Sequence, residues 1–121
     1  MKKLTEKEEQ IMQILWRRER AFVREIMEDL PEPKPPVTTV SSIVRKLEGQ
    51  GCIGHEDFGK TYRYFPVLRK EDYRKVSFQQ LLEDYFGGSP KQLLSFFMKE
   101  EQADPDELAS ILKEIQDREG K

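Results

Sequence analysis

The residues best suited to chemistry in this sequence are short hydroxyls and long cations that recur at helical spacing after a proline-rich stretch. At 100° per residue, one side of this segment is the apolar stripe Val40, Ile43, Val44 and Leu47. The other side displays Thr38, Thr39, Ser41, Ser42, Arg45 and Lys46. Hydroxyls bond phosphates or base edges, and arginine can bind guanine through two parallel hydrogen bonds. There is no acidic residue between Lys34 and Arg45 that could repel phosphates. A helix face that is merely solvated more often carries Glu, Lys, Gln or Ala, so the pattern favours DNA contact.

Residues that usually carry catalysis or bind metals are scarce. Cys52 is the single cysteine and His55 the single histidine. We therefore expect neither an internal disulfide nor a zinc site with three or four ligands from one chain. Serine-hydrolase, zinc-protease and P-loop motifs are missing from the sequence. These observations predict no enzyme activity, no cofactor and no metal; we expect Cys52 to be a buried strand residue and His55 a surface or phosphate-contacting one.

Helices must hold the hydroxyl and cation face in place. Thr5 and Glu8 have the spacing of a capping box, which predicts a first helix with the stripe Ile11, Met12, Leu15 and Trp16. Ala21 and Phe22 form a short extended link before a second helix with the stripe Val23, Ile26, Met27 and Leu30. The prolines of residues 31–36 exclude a helix interior. Pro35 or Pro36 suits the first turn of the third helix, which ends at Gly49 and Gly51.

A β-hairpin is predicted after the third helix. Its strands cover residues 52–56 and 62–66, and Gly59 can supply a positive φ in the turn between them. Three helices and a hairpin are the plan of a winged helix-turn-helix domain, whose third helix enters the major groove while the hairpin, or wing, lies beside it. The candidate DNA-binding residues are Lys34, Thr38, Thr39, Ser41, Ser42, Arg45, Lys46, His55, Lys60, Thr61 and Arg63.

The chain after residue 68 reads as wholly helical. The pattern predicts a helix over residues 70–86, a break at Gly87 and Gly88, a helix begun by Ser89 and Pro90, and a third begun by Asp104. So small a region buries little of its apolar surface alone, so we favour pairing with a second copy over packing on residues 1–68. The expected dimer contacts are Tyr73, Phe78, Leu81, Leu82, Tyr85, Phe86, Leu93, Leu94, Phe96, Phe97, Leu108, Ile111, Leu112 and Ile115.

The expected fold class is mainly α (α+β), in two domains. Residues 1–68 form a winged-helix DNA-binding domain with a wing of two or three strands, and residues 69–121 form a three-helix dimerisation domain. Length and charge agree with this division. The 121 residues carry 21 Lys and Arg against 23 Asp and Glu, for a net charge of −2. This balance excludes a non-specific polycation and an acidic disordered chain.

Several segments resemble the BlaI/MecI penicillinase-repressor family of winged-helix transcriptional repressors, which has CopY relatives. Residues 4–16 resemble the family's first helix, residues 39–53 its recognition helix and the strand that follows, and residues 62–66 its second wing strand. The double-glycine break and the region of Ser95 and Phe96 match its C-terminal helices more loosely. The resemblance covers nearly the whole chain, and the order and spacing of the motifs together make it specific.

The resemblance implies a homodimeric repressor that binds double-stranded DNA at a palindromic operator. In antibiotic-responsive members it also implies release from DNA when a membrane metalloprotease sensor cuts the repressor between an Asn and a Phe. Ser95 and Phe96 occupy the matching positions here, with Ser in place of the Asn. Copper-sensing relatives carry a C-terminal cysteine pair, and because no cysteine follows Cys52, that kind of metal sensing is disfavoured.

The sequence also predicts where the protein is located and leaves two alternative functions open. The N-terminus is charged and no apolar run approaches about 18 residues, so we expect a cytoplasmic protein with no signal peptide and no membrane insertion. Two alternatives to a repressor stay open. One is a winged-helix module for protein interaction or assembly without sequence-specific DNA binding. The other is a regulator that binds a small inducer, which would need an apolar pocket with converging polar groups.

Overall fold

A computed structural model describes residues 3–100 together with residues 104, 106, 109, 110 and 113. The chain divides into two compact units, unit 1 over Met1–Val76 and unit 2 over Ser77–Lys121. The elements in chain order are α1 (Glu6–Arg18), β1 (Ala21–Phe22), α2 (Val23–Asp29), α3 (Val37–Gly49), β2 (Ile53–Asp57), β3 (Tyr62–Pro66), α4 (Lys70–Phe86) and α5 (Pro90–Glu100). The mainly helical fold with a small antiparallel sheet confirms the expected α+β winged-helix class.

The start of α1 is fixed by the predicted capping box. The Thr5 hydroxyl accepts the Glu8 backbone N–H at 3.3 Å, and the Glu8 carboxylate accepts the Thr5 N–H at 2.8 Å. Each bond satisfies a backbone donor that the first turn of a helix leaves without a partner. At its other end α1 is tied to α2, because Arg18 Nε donates to the Asp29 carboxylate at 2.6 Å. The Arg18 and Arg17 guanidiniums hold the pKa of Asp29 well below its usual value.

Side chains from α1, α2 and α3 form the core of unit 1. The largest side chains with no exposed surface are Ile11, Met12, Leu15, Ile26, Val40, Val44, Leu47 and Cys52. The predicted stripe of α3 therefore faces inward, with Ile43 half-buried at its edge. Each fully buried aliphatic side chain contributes about 1.5–3 kcal/mol. This burial decides which side of α3 is left facing solvent.

The sheet has three antiparallel strands in the order β1-β3-β2. The link at Ala21 and Phe22 pairs with β3, Ala21 opposite Tyr64. The wing turn has the predicted positive φ at Gly59, +86°, and the Asp57 carboxylate accepts the Gly59 N–H at 2.7 Å. The sheet therefore has the larger of the two strand numbers that were expected.

Two boundaries differ from the sequence-based expectation. Pro36 is the N-cap of α3, and the first turn of the helix starts after it, at Val37. The strand β2 starts one residue late, at Ile53, because the Cys52 N–H bonds the Leu47 carbonyl at the end of α3. Cys52 is buried as expected but belongs to the turn and not to the strand.

The first turns of α4 belong to unit 1, although the sequence predicted a domain boundary after residue 68. Tyr73 is buried, and its hydroxyl accepts the Leu4 N–H at 2.7 Å and donates to the Glu9 carboxylate at 2.6 Å. Nearby, the indole N–H of Trp16 donates to the Leu68 carbonyl at 2.8 Å. This corrects the assignment of Tyr73 to a dimer contact, since its side chain lies in the core of unit 1.

Within unit 2 the described chain follows the predicted order of helix, glycine break and helix. Gly87 and Gly88 adopt positive φ, and the Gly88 N–H bonds the Leu82 carbonyl at 2.8 Å, which ends α4. The Ser89 hydroxyl then caps α5, whose first residue is Pro90. Of the predicted third helix, Asp106, Ala109, Ser110 and Lys113 are helical. Its apolar stripe lies outside the described residues, namely Leu108, Ile111, Leu112 and Ile115.

No helix in the described part of the chain is both long and apolar enough to cross a membrane.

An ion pair joins α3 to the start of α1. Lys46 Nζ lies 3.3 Å from Glu8 Oε2, a buried atom that accepts no aligned hydrogen bond from the described residues. Burial alone would raise the pKa of Glu8, but the hydrogen bonds from Thr5 and the charge of Lys46 together hold that pKa below its usual value. The ionised carboxylate is therefore the form that stabilises the fold, and its contribution is lost as the pH falls through the lowered pKa.

Replacing Tyr73 with Phe should lower the free energy of unfolding by about 1–2 kcal/mol, because the buried Leu4 N–H loses its acceptor. Urea denaturation followed by Trp16 fluorescence measures this change, since the two rings lie 6.0 Å apart. Tyr85→Phe is the matched control, since that ring is 76% exposed. Equal stability losses in the two variants would contradict the role given to the Tyr73 hydroxyl.

Replacing Lys46 with Gln should lower the free energy of unfolding by about 0.5–1 kcal/mol at neutral pH, because half-exposed ion pairs contribute little more. The difference should shrink as the pH falls through the lowered pKa of Glu8, because the protonated carboxyl no longer pairs with Lys46. Denaturation at several pH values measures it, with Lys60→Gln at the exposed wing tip as control. A loss that stays the same at every pH would rule out the Glu8 pairing as its cause.

Candidate nucleic-acid interface

The outer face of α3, defined here as Thr38, Ser42 and Arg45, lies opposite the buried stripe. All three side chains are exposed, and Thr39 and Ser41 flank them half-buried. The hydroxyls are short, so a flat surface can approach the helix backbone closely between Thr38 and Arg45. Arginine then supplies the one long cationic side chain of this face. The structure thus brings together five of the residues that the sequence singled out.

The segment from the first turn of α3 to Arg45 has no acidic residue to offset the helix dipole or the arginine charge. Pro36 gives the helix no side-chain cap, and its first turn has no acidic residue. The N-terminal end of the helix dipole is therefore not neutralised locally. Among the residues that the structure describes, no carboxylate lies within 4 Å of the Arg45 guanidinium. Its charge is consequently available to an anionic partner.

Two lysines that were expected to contact DNA are engaged inside unit 1. Lys46 pairs with Glu8, as described above. Lys34 donates from Nζ to the carbonyls of Met27 at 2.6 Å and Glu28 at 3.0 Å, the last residues of α2. A cation at a helix C-terminus satisfies carbonyls that have no partner within the helix. Both lysines therefore contact protein groups while their side chains stay exposed, and their contact with DNA remains a prediction.

The wing residues that were expected to contact DNA lie in two places, the tip of the hairpin and the surface of the sheet. Lys60 and Thr61 are exposed at the tip. Arg63 instead bonds the Glu56 carboxylate at 3.1 Å and lies 5.0 Å from the centroid of the Phe58 ring. Because Arg63 is held by these two neighbours on the sheet, only the tip presents its polar groups freely to a ligand.

His55 is a surface residue, as the sequence predicted, and it also joins the wing to α3. Its Nδ1 contacts the Glu48 carboxylate in the last turn of α3. Its ring stacks on Tyr62 with centroids 4.2 Å apart. Sequence reasoning missed both Glu48 and Tyr62 as parts of this site. The hairpin register could have placed Tyr62 near His55, since His55 lies opposite Tyr64, but no local signal indicates the reach back to α3.

Unit 2 exposes much of the apolar surface that was expected to pair with a second copy. Phe78, Leu81 and Tyr85 are exposed on α4, and Phe96 and Phe97 on α5. Met98, which the sequence-based list did not include, is also half exposed. The remaining expected residues of these helices lie deeper, with Leu82 buried and Phe86, Leu93 and Leu94 half-buried. Phe86 and Phe96 meet edge to face at 5.8 Å and join the two helices.

Ser95 and Phe96 lie side by side in regular helical backbone within α5, and both are exposed. They border an open groove of unit 2 whose lining also includes Phe86, Ser89, Lys91, Gln92 and Lys99. The groove is shallow and lacks the converging buried polar groups that a small-molecule site requires. The described part of unit 2 therefore gives no support to an inducer site at this place.

Comparisons with known proteins show the family to which the chain belongs. The family model for the penicillinase repressor matches residues 4–117. A penicillinase repressor of Bacillus licheniformis is 21% identical over 119 residues, which cover 95% of this chain and 93% of that protein. The family match spans both units of the chain. The chain therefore belongs to the penicillinase repressor family, a family of transcriptional repressors.

Proposed function

We propose that this protein is a homodimeric repressor that occupies a palindromic operator, with the outer face of α3 in the major groove. The observation that carries the proposal is the Arg45 guanidinium, which is exposed on a helix face of short hydroxyls and has no carboxylate within 4 Å among the described residues. An α-helix fits the major groove, and there arginine can bind guanine O6 and N7 together. Thr38 and Ser42 hydrogen-bond phosphates or base edges from the same side.

The wing contributes contacts to the backbone beside that groove. Lys60 and Thr61 project from a turn that is braced by the Asp57 carboxylate. An ammonium and a hydroxyl at a hairpin tip suit phosphate oxygens, which fix the register of a protein on DNA without reading its sequence. In this proposal the outer face of α3 reads bases, and the wing tip holds α3 in position.

A second copy of the chain is the proposed partner of the exposed apolar residues of unit 2. Six large apolar side chains there are 40–76% exposed in the single chain: Phe78, Leu81, Tyr85, Phe96, Phe97 and Met98. Exposed patches of this kind mark interaction sites. A two-fold dimer matches a palindromic operator, because its two recognition helices can enter the groove about one DNA turn apart. Linking two weak half-site contacts raises the overall affinity through effective concentration.

The distribution of charge supports this function better than the total charge does. Residues 34–75 contain 9 Lys and Arg against 5 Asp and Glu, although the whole chain carries a net charge of −2. A small basic surface presented twice binds a specific site while the acidic remainder limits binding to bulk DNA. The same reasoning implies that operator affinity falls as the salt concentration rises.

Proteolytic release by a membrane metalloprotease sensor would need an additional conformational step. Proteases bind extended backbone, whereas Ser95 and Phe96 lie inside α5. Cleavage between them therefore requires local opening of that helix first. For this reason the proposed mechanism rests on occupancy of the operator and assigns no step to cleavage.

Replacing Arg45 with Ala should weaken operator binding by about 1–3 kcal/mol per half-site, because a bidentate contact to guanine is lost. Fluorescence titration against promoter DNA from upstream of the protein's own gene measures the effect, with unrelated DNA as competitor. The loss should be confined to the operator. A uniform loss on all sequences would instead assign Arg45 to a phosphate.

Lys46→Ala is the matched control, because Lys46 is the neighbouring cation but pairs with Glu8. It should lower stability without a comparable change in operator affinity. Absence of any salt-dependent DNA binding by the intact dimer would overturn the repressor function and leave the protein-interaction module as the alternative. Capture of a protein partner that survives substitution of both Arg45 and Lys46 would favour that alternative directly.

Placing a charge on the exposed surface of unit 2 should dissociate the dimer. We expect Leu81→Asp and Phe97→Asp each to shift the protein toward monomer, because a carboxylate would be buried without a partner in the interface. Sedimentation equilibrium measures the shift, and operator affinity should fall with it.

Phe58→Asp is the control for this experiment, since Phe58 is a half-exposed aromatic residue on the wing of unit 1. It should leave the dimer intact. A native protein that is monomeric at micromolar concentration, or a Leu81→Asp variant that dimerises normally, would overturn the proposed interface.

A further inference from the structure

The last turn of α3 meets the wing at a charged contact, and the wing residue of that contact also stacks on a second ring within the wing. The Glu48 carboxylate meets Nδ1 of His55, whose ring stacks on Tyr62 at 4.2 Å with an interplanar angle of 20°. Tyr64 lies edge-on to the same imidazole, with centroids 5.9 Å apart. We call the first pair the Glu48–His55 clamp. About a third of each of its side chains is exposed, so that the clamp is in contact with solvent.

The clamp lies beside the residue that is proposed to read bases. Glu48 follows Arg45 by three positions, and residues at this spacing are neighbours on a helix surface. Burial raises the pKa of Tyr64; the charge of Glu48 also raises it, and the charge of Arg45 lowers it. Glu48 is also the single acidic residue of α3. It is therefore the one acid on that helix that could oppose binding to an anionic duplex.

We propose that His55 is a positioning residue for operator binding, and that it acts by cancelling the charge of Glu48 beside Arg45. This inference rests on the proposed function of α3. When the imidazole is protonated, the clamp is neutral overall and ties the wing to the recognition helix. When the imidazole is neutral, Glu48 contributes a full negative charge that repels phosphates and competes with the DNA for Arg45.

The inference depends on the charge of the His55 imidazole, because only the protonated ring can neutralise the Glu48 carboxylate that it contacts. Among the described residues, His55 is in contact with the Glu48 carboxylate of α3 and with the phenol rings of Tyr62 and Tyr64 from β3. Carboxylates, guanidiniums and phenols ordinarily titrate outside this range, whereas imidazoles titrate within it. Because the protonated form is the one that neutralises Glu48, operator affinity should decrease as the pH rises.

The test measures operator affinity of the untagged full chain at about pH 6 and pH 8 and constant ionic strength. We expect the native dimer to bind roughly tenfold more weakly at the higher pH, or about threefold per half-site, for one added charge at each. His55→Gln should bind weakly at both pH values. Glu48→Gln should bind tightly at both, because the charge to be neutralised is gone.

The double variant, which combines His55→Gln with Glu48→Gln, distinguishes this role from a direct phosphate contact by His55. If His55 acts only through Glu48, the double variant binds like Glu48→Gln alone. If His55 itself contacts a phosphate, Glu48→Gln keeps the pH dependence and the double variant binds more weakly than Glu48→Gln. Either of these last two results overturns the inference.

Glu56→Gln is the matched control, because Glu56 is on β2 with His55 but bonds Arg20 and Arg63. It should keep the native pH dependence. The ring-proton NMR signals of His55, the single histidine of the chain, report whether the Tyr62 stack persists in each variant that retains it. Native binding that does not vary with pH overturns this inference alone, whereas absence of operator binding overturns the proposed function together with it.

Discussion

Burial of one stripe of α3 against the other helices of unit 1 is the constraint on which the remaining structure depends. Val40, Val44 and Leu47 have no exposed surface, so α3 cannot rotate about its axis without exposing them. Rotation by even one residue position would turn a hydroxyl inward and leave its hydrogen bonds unsatisfied. The same packing that stabilises unit 1 therefore holds Arg45 outward. In the proposed function, DNA recognition is therefore a consequence of how the core is packed.

Features that depend on local sequence were predictable, and those that depend on distant contacts were not. The capping box at Thr5, the start of α5 at Pro90 and the outward direction of Arg45 follow from hydrogen bonds and periodicity within a few residues. The partner of Tyr73 is different, because Leu4 is 69 positions away along the chain. Likewise, Lys46 looked equivalent to Arg45 in sequence, and only the packing of α3 on α1 brings it to Glu8.

The cations near the operator-facing surface differ more in their surroundings than in their number. Lys34, Lys46 and Arg63 neutralise carbonyls or carboxylates of the protein itself. Part of the charge of each is therefore already balanced by a group of the protein. Arg45 and Lys60 have no such partner among the described residues, so they can respond to DNA without rearrangement. Counting basic residues therefore overestimates the electrostatic part of binding, and shape and dimer geometry must supply the rest.

The carbonyl of Cys52 has a consequence for how this protein can diversify. It accepts the N–H groups of Val67 and Leu68, both at 2.9 Å, and so closes the open end of the hairpin beside the last turn of α3. The turn at the other end is held by bonds within the hairpin itself. The base of the wing is thus fixed to the end of α3, whereas its turn is held only by bonds within the hairpin. Insertions in the turn near Gly59 can lengthen its reach along a duplex while the helices beneath it stay in place.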